Sequence, residues 1–521
     1  MTNSGARAGR REWTAFVVLL LPLLLVSMDV SVLFFAIPAI STELAPTGTQ
    51  QLWIFDSYAF ALAGLLITMG SLGDRIGRRK LLLLGATAFG AASVAAAYAR
   101  NPEMLIAARA VLGIGGATLM PSTMALLRNM FRDGKQRSKA IGIWSGAMAG
   151  GIALGSVLGG VMLDHFWWGS VFLINVPAMV LLLVLVPLLV PEFKDPAPGR
   201  FDLLSVPLSM GAVLPVIYGI KEMAAHGITL PMVLCVAVGL VLAVTFVHRQ
   251  RTRPDAMIGR ALFRHRAFGA GIGLNTLATF GMMGSAYFTT QYLQSVLGKS
   301  PLEAALWGTV PSLAVGFTAP AAATLGQKLP KSWVMAAGFV IGAAGYALLA
   351  VCGPRSLTLV LVGAAVVSCG IVVVMALVSD MALATAPPEK AGTAAALLET
   401  GQEFGGAMGM ALFGTVGVAV YRRDVNDALS PDLPHGALEA ARETLGGAAS
   451  VAADLPGQAG GTVLTAAREA FTHGMNVAAL GGTAVLLLAA VLTVAALRGV
   501  RTEPPAAEPE PEPAARATAV R

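Results

Sequence analysis

With 521 residues, 56% of them hydrophobic and only 12% charged, and a mean hydropathy of +0.72, the chain is too apolar to be a soluble protein of several domains. The formal net charge of +7 fits basic loops beside anionic lipid, so no nucleic-acid partner is invoked. Three cysteines, Cys235, Cys352 and Cys369, lie in or beside apolar runs with no C-x-x-C spacing, and they read as packing residues.

Crossing the hydrocarbon of a bilayer takes about 20 apolar residues in a helix. Such runs are expected near residues 14–39, 51–72, 81–99, 104–127, 140–163, 170–191, 203–220, 228–247, 269–293, 304–326, 333–352, 357–384, 392–420 and 474–497. The fold class is therefore an all-α polytopic membrane protein of about fourteen spans.

In chain order, residues 1–13 form a short N-terminal segment expected in the cytoplasm. Arg7, Arg10 and Arg11 precede an apolar stretch that is longer than a signal core and contains Asp29, so it reads as an uncleaved first span. The second span opens with Trp53, Asp56 and Tyr58. Between the second and third spans comes the Gly-rich, basic run Gly70-Ser71-Leu72-Gly73-Asp74-Arg75-Ile76-Gly77-Arg78-Arg79-Lys80. Lys and Arg near span ends settle on the cytoplasmic side. An N-terminus inside puts Arg75, Arg78, Arg79, Lys80, Arg128, Arg132, Lys135, Arg137 and Lys139 there, with Arg249, Arg251, Arg253, Arg260, Arg264 and Arg266, and an even span count returns Arg498 and Arg501 to the same side.

The lengths suggest two six-helix bundles, 14–191 and 269–497, separated by 192–268, which holds two inserted helices with cytoplasmic linkers. Such repeats put a binding site near the membrane midplane and give alternating access by rocking. The polar segment 421–472 faces outward by this count, and helical spacing in Leu438 to Leu445 and Leu464 to Phe471 predicts a helical hairpin. The Pro-, Ala- and Glu-rich end within 498–521 is expected to be a disordered cytoplasmic tail.

Arg109 is the one Lys or Arg inside a predicted span, and an ionisable group at that depth is a functional hypothesis needing a partner. The acids within spans are Asp29, Asp56, Asp380, Glu399 and Glu403. Asp29, Asp56 and Glu399 are expected in the central cavity; Glu403 and Asp380 stand equally open to function and to packing. A carboxylate there can hold a proton and release it when a cation arrives, which is antiport chemistry. Asp29, Arg109 and Glu399 are expected to couple protons. Asp56, with Trp53 and Tyr58 for cation-π contact and Glu399 beside them, is expected to meet substrate.

Four motifs carry a resemblance. The loop from Gly70 to Lys80 resembles the signature of the major facilitator superfamily, G-x-L-a-D-r-x-G-r-r/k. Asp29-Val30-Ser31-Val32-Leu33-Phe34-Phe35-Ala36-Ile37-Pro38 resembles the first-span motif of its fourteen-span drug/proton antiporters, D-x-T-x-x-x-x-A-L-P. The run from Arg109 to Ala117 is similar to R-x-x-x-G-x-G-a-a, whose Arg is linked in the family to proton transfer. Gly151, Gly155, Gly159 and Gly160 fit the antiporter motif G-x-x-x-G-P-x-x-G-G, with Ser156 in place of Pro. Asp56, Leu398-Glu399 and the long outer segment resemble the antiseptic, quaternary-ammonium branch, although the tenth span reads Ala314-Val315-Gly316-Phe317 where some members have an acid. The resemblance implies proton-coupled multidrug efflux of lipophilic organic cations from a cell membrane by a monomer, with no cofactor and no metal. It implies that Gly73, Asp74, Arg75, Gly77, Arg78 and Arg79 form a conformational gate.

No G-x-x-x-x-G-K-[ST] nucleotide loop is present, since Gly298-Lys299-Ser300 has Leu293 at the first Gly position, so an ion gradient must supply the energy. The six His residues form no metal or nucleophile set, which argues against a membrane enzyme. The rival reading is export of a neutral or anionic natural product, against which Asp56 speaks.

Overall fold

A computed structural model describes residues 8–131, 133–194, 204–226, 229–252, 266–385, 391–429, 435–455 and 458–498. The expected tail from Glu503, the linker arginines Arg253, Arg260 and Arg264, and Arg132 lie outside them.

The described residues are helical throughout. In the first half of the chain come α1 (Arg10–Leu44), α2 (Gly48–Ile76), α3 (Arg78–Ala97), α4 (Pro102–Met130), α5 (Gly134–His165), the single turn α6 (Ser170–Leu173) and α7 (Asn175–Leu189). Next are α8 (Ser205–His226) and α9 (Leu230–Thr252). The second half has α10 (Arg266–Gln291) ending in a π-helical turn (Tyr292–Val296), then α11 (Pro301–Lys328), α12 (Lys331–Leu349), α13 (Leu357–Thr385), α14 (Ala391–Ala428), α15 (His435–Glu443), α16 (Leu445–Asp454) and α17 (Gln458–Leu497). Each expected apolar run coincides with a helix, α6 and α7 sharing one. Nine of the described helices are long and apolar enough to cross a membrane, or ten if the bent α2 counts as one span. The chain is a polytopic membrane protein.

Local sequence sets the helix ends. Thr47 and Ser300 accept from the amides of Gln50 and Glu303 while those side chains reach back, a reciprocal cap that satisfies the first orphan amides of α2 and α11. At α4 the Asn101 side chain accepts from the Met104 amide, and Pro102 occupies the first helical position, where no amide is needed. Apolar side chains on the outside are abundant: Phe317 is 81% exposed, and Leu313, Val244 and Val491 are exposed too. Water would penalise that surface, whereas hydrocarbon does not.

The two halves meet along two seams, α2 against α14 and α5 against α11. The inserted α8 packs on both α2 and α14 and so covers the first seam: Leu214 joins Phe60, Ala407 and Ala411, and Met210 lies over Gly64. At the hairpin end, where α15 and α16 sit, the halves are tied closely. Glu443 accepts from the Gly48 amide at 3.0 Å and pairs with Arg422, and Ser300 Oγ donates to Asp164 at 3.3 Å.

In the segment where a helical hairpin is expected, the described residues form the consecutive short helices α15 and α16, with Thr444 capping the second. Leu464 to Phe471 instead belongs to the long α17, because no proline interrupts 458–497 and the helix runs on into the last apolar run.

Candidate functional site

Arg109 is 1% exposed in the middle of α4, and its ion-pair partner is Asp29 of α1, itself 5% exposed. The guanidinium makes two further contacts: Nε donates to the Ile54 carbonyl at 3.1 Å, and the Tyr58 ring stacks with its centroid 4.3 Å from Cζ. A buried pair is tolerable only when extra bonds satisfy it, and this one has a carbonyl and a π face. Tyr58 is held in turn by its hydroxyl, 3.4 Å from the Val26 carbonyl.

Glycines make this approach possible. A Cβ at Gly113 would meet the Tyr58 backbone carbonyl, and one at Gly116 would come within 2.7 Å of Leu62. Thus the glycines of the fourth-span motif let α2 lie against α4 closely enough for Tyr58 to cover Arg109.

The antiporter-motif glycines do the same for α5 and α1. A Cβ at Gly151 would be 2.9 Å from Ser27 Cβ, at Gly155 2.7 Å from Met28 Cα, and at Gly159 3.1 Å from Val32. They press α5 onto the stretch of α1 that carries Asp29. Gly160 has another neighbour: a Cβ there would be 2.8 Å from Leu302 Cα at the start of α11, so it serves the contact between halves.

Asp56 is 0% exposed. Its neighbour Phe55 packs edge-on against Tyr287 of α10 with ring centroids 5.7 Å apart, and the Tyr287 hydroxyl accepts from Gln51 Nε2 at 3.1 Å. The three residues expected to share a substrate site diverge. Trp53 faces Tyr218 of α8 with ring centroids 6.4 Å apart, while Tyr58 faces Arg109. The cause is helix phase: five residues turn about 140° beyond one revolution, so Trp53 and Tyr58 occupy different faces of α2.

Glu399 and Glu403 lie one turn apart on α14, and both are half-buried. Glu399 Oε1 is buried and has no hydrogen-bond partner among the described residues. Glu403 is the residue that sequence reasoning left undecided. Its spacing of four from Glu399 was a usable signal, since i and i+4 share a helix face. The side chain of Asp380, on α13, lies outside the described residues.

At the opposite end from the hairpin, the basic loop is clamped by a residue that the sequence did not single out. Glu192, just after α7, accepts from the amides of Arg79 at 2.9 Å and Lys80 at 3.2 Å, capping the start of α3. Arg78 N–H donates to the Phe193 carbonyl at 2.9 Å, and Arg79 Nη1 to the Val190 carbonyl at 3.1 Å. Gly77 has φ +110°, and a Cβ there would be 2.6 Å from the Glu192 carboxyl carbon, so the position demands glycine twice over. A Cβ at Gly73 would be 2.9 Å from Arg78 Cδ; Arg78 pairs with Asp74 within the same half. Arg75 is half-buried in the last turn of α2. Among the described residues no His, Cys, Asp and Glu cluster could hold a metal ion.

Comparison with known proteins bears on this arrangement. The model of the Major Facilitator Superfamily matches residues 19–410. The chain is 42% identical over 506 residues to the multidrug efflux pump LfrA of Mycolicibacterium smegmatis, covering 96% of this chain and 98% of that one. It is 33% identical over 495 residues to the methyl viologen resistance protein SmvA of Salmonella typhimurium, with 92% and 97% covered. A tetracenomycin C resistance and export protein of Streptomyces glaucescens is 32% identical over 536 residues, with 99% and 97% covered. Among solved structures, a bacterial homolog of the human lysosomal transporter Spinster, inward-facing and unoccupied, shares the fold at a TM-score of 0.66 and 17% identity, covering 94% of this chain and 99% of that one. On the match over most of its length, together with these relatives, the chain belongs to the Major Facilitator Superfamily and is a membrane carrier, not an enzyme.

Proposed function

We propose that the protein is a proton-coupled antiporter that exports lipophilic organic cations by alternating access. The observation that carries the reading is the set of carboxylates within the helices: Asp29 buried and compensated by Arg109, and half-buried Glu399 and Glu403 without a basic partner among the described residues. A carboxylate in an apolar bundle is costly unless it holds a proton or meets a cation, so the two occupants compete for one place. That competition is antiport. Asp29, Arg109 and Glu399 couple protons, with Glu403 added to them; Asp56, near the aromatic Tyr287, meets substrate. Two relatives lend support: LfrA is a multidrug efflux pump by name, and SmvA confers resistance to methyl viologen, an aromatic dication.

The architecture that goes with this reading has fourteen spans: bundles of six at 14–191 and 269–497, two inserted helices within 192–268, and both termini in the cytoplasm of a cell-membrane protein acting as a monomer. Helices α8 to α11 lie where the four spans beyond the clearest ten are expected. The loop of Gly73, Asp74, Arg75, Gly77, Arg78 and Arg79 then gates the cytoplasmic side, and the hairpin end faces outward.

The similarity to the tetracenomycin C exporter favours a second reading, export of a neutral or anionic natural product. Proteoliposomes with an imposed pH gradient decide between them. Gradient-driven movement of ethidium and methyl viologen is expected. Movement of a neutral polyketide with no movement of either cation would overturn the cation reading.

A further inference from the structure

Asn275 of α10 is fully buried on the seam where α10 packs against α14. Its Nδ2 donates to the backbone carbonyl of Leu398 at 3.1 Å, and its Oδ1 accepts from Gln402 Nε2 at 3.4 Å. The two attachments bracket a single turn of α14, which begins next to Glu399 and ends next to Glu403. A buried amide costs more than an apolar side chain of its size unless its bonds achieve something that packing does not.

The seam around Asn275 is close and directional. A Cβ at Gly401 would be 2.9 Å from Thr276 Oγ1, at Gly405 it would meet the Thr276 carbonyl, and at Gly409 the Phe280 carbonyl. These three glycines mark the face of α14 that lies on α10. Glu399 and Glu403 each precede one of them by two residues, which is about 200° of rotation. Both acids therefore project from the face opposite the seam. Rotating the turn by a fraction of a residue would swing both carboxylates at once, and the Asn275 bonds resist that rotation.

We propose that Asn275 is a positioning residue for Glu399 and Glu403, locking the 398–402 turn so that both carboxylates face away from α10. The inference rests on the reading of these acids as proton-exchanging groups. The charged and titratable groups around the pair are few. α2 carries Asp56 and Tyr58, and the Tyr58 ring is stacked on Arg109, which pairs with Asp29. On α10 the titratable residues are Arg266 and Tyr287 near its ends; α17 has none between His473 and its last residue; α8 carries Tyr218, Lys221, Glu222 and His226, and α13 carries Cys369 and Asp380.

The test is the pH dependence of ethidium binding to the purified full-length chain, with uphill efflux from vesicles alongside. Asn275→Leu removes both bonds at similar size and is expected to move the binding midpoint by about half a pH unit or more. Gln402→Leu, a milder change, should move it less and in the same direction, and serves if Asn275→Leu does not fold. In a Glu399→Gln, Glu403→Gln background the Asn275→Leu effect should vanish, as a coupling cycle requires. A wild-type midpoint in Asn275→Leu, or the same shift persisting in the double-Gln background, would overturn the positioning role. If Glu399→Gln and Glu403→Gln themselves leave the midpoint where it was, the proton-exchange reading fails instead, whatever Asn275 does.

Discussion

In the first half of the chain Asp29 is buried against a guanidinium that also holds a carbonyl and an aromatic face, whereas in the second half Glu399 and Glu403 stand half-buried one turn apart with no basic partner among the described residues. The energetic consequences differ. Removing one member of a compensated pair strands a charge in low dielectric and costs about 3–5 kcal/mol. Removing an uncompensated acid strands nothing. The first site is therefore expected to be needed for both the fold and the coupling, and the second for coupling alone.

The largest expected effect comes from splitting the pair. Arg109→Ala should abolish uphill ethidium efflux and lower the melting temperature sharply, because Asp29 loses its counter-charge. Asp29→Asn should abolish efflux with a smaller thermal loss, since the amide still accepts a bond from Arg109. Melting curves of the two variants in detergent check the difference. Equal, small losses would show that Asp29 and Arg109 do not compensate each other in solution.

Glu399→Gln comes next and sharpens the contrast from the other side. Efflux should fall by at least about tenfold, the scale of 1.4 kcal/mol in a barrier, while the melting temperature stays level or rises. A melting loss as large as that of Arg109→Ala would mean that Glu399 has a structural partner, and the contrast between halves would collapse. Asp56→Asn is expected to act on a third quantity, the substrate range, with methyl viologen lost before ethidium while coupling survives. Side-by-side efflux of both cations reads this out; loss profiles identical to those of Asp29→Asn would remove any division between recognition and coupling.

How far the sequence foretold these sites depends on whether a feature is local. Arg109 and Asp29 stand out because each interrupts an apolar run, and one lone cation among several acids needs a partner. The way Tyr58 covers Arg109 depends on the rotation of α2 against α4, which is set by Gly113 and Gly116 through contacts across helices. The same phase explains why Trp53 and Tyr58, close in sequence, serve different neighbours. Glu192 was invisible because its role is to cap a helix that starts 113 residues earlier, and a lone Glu after an apolar run carries no local mark of that. Helical spacing marks both Leu438–Leu445 and Leu464–Phe471, but it cannot show that the second piece is continuous with the last apolar run, as it is in α17.

The smallest effect on stability, with a distinct effect on rate, is expected where the loop end and the hairpin end are compared. At the hairpin end Glu443 ties the start of α2 in the first half to Arg422 in the second, so the bond spans the halves. At the loop end Glu192, Arg79, Asp74 and Arg78 all bond within the first half, so the clamp shapes one half without holding the two together. Breaking the former should ease separation of the halves; breaking the latter should leave their contact intact and loosen the start of α3. Glu443→Gln keeps an acceptor for the Gly48 amide but gives up the charge that draws Arg422, a partly exposed pair worth about 1 kcal/mol at most. It should raise the accessibility of a cysteine probe introduced at Gln51 on the hairpin side. Glu192→Gln likewise keeps one acceptor for the α3 amides and loses only part of a cap worth about 1 kcal/mol. It should slow turnover without changing ethidium affinity or the accessibility of the Gln51 probe. If Glu192→Gln opens the hairpin end as Glu443→Gln does, the two ends are one coupled gate; if neither variant changes accessibility, the bond through Glu443 does not hold the halves, and closure rests on the apolar contacts of Leu52 with Gly414 and of Phe60 with Ala407.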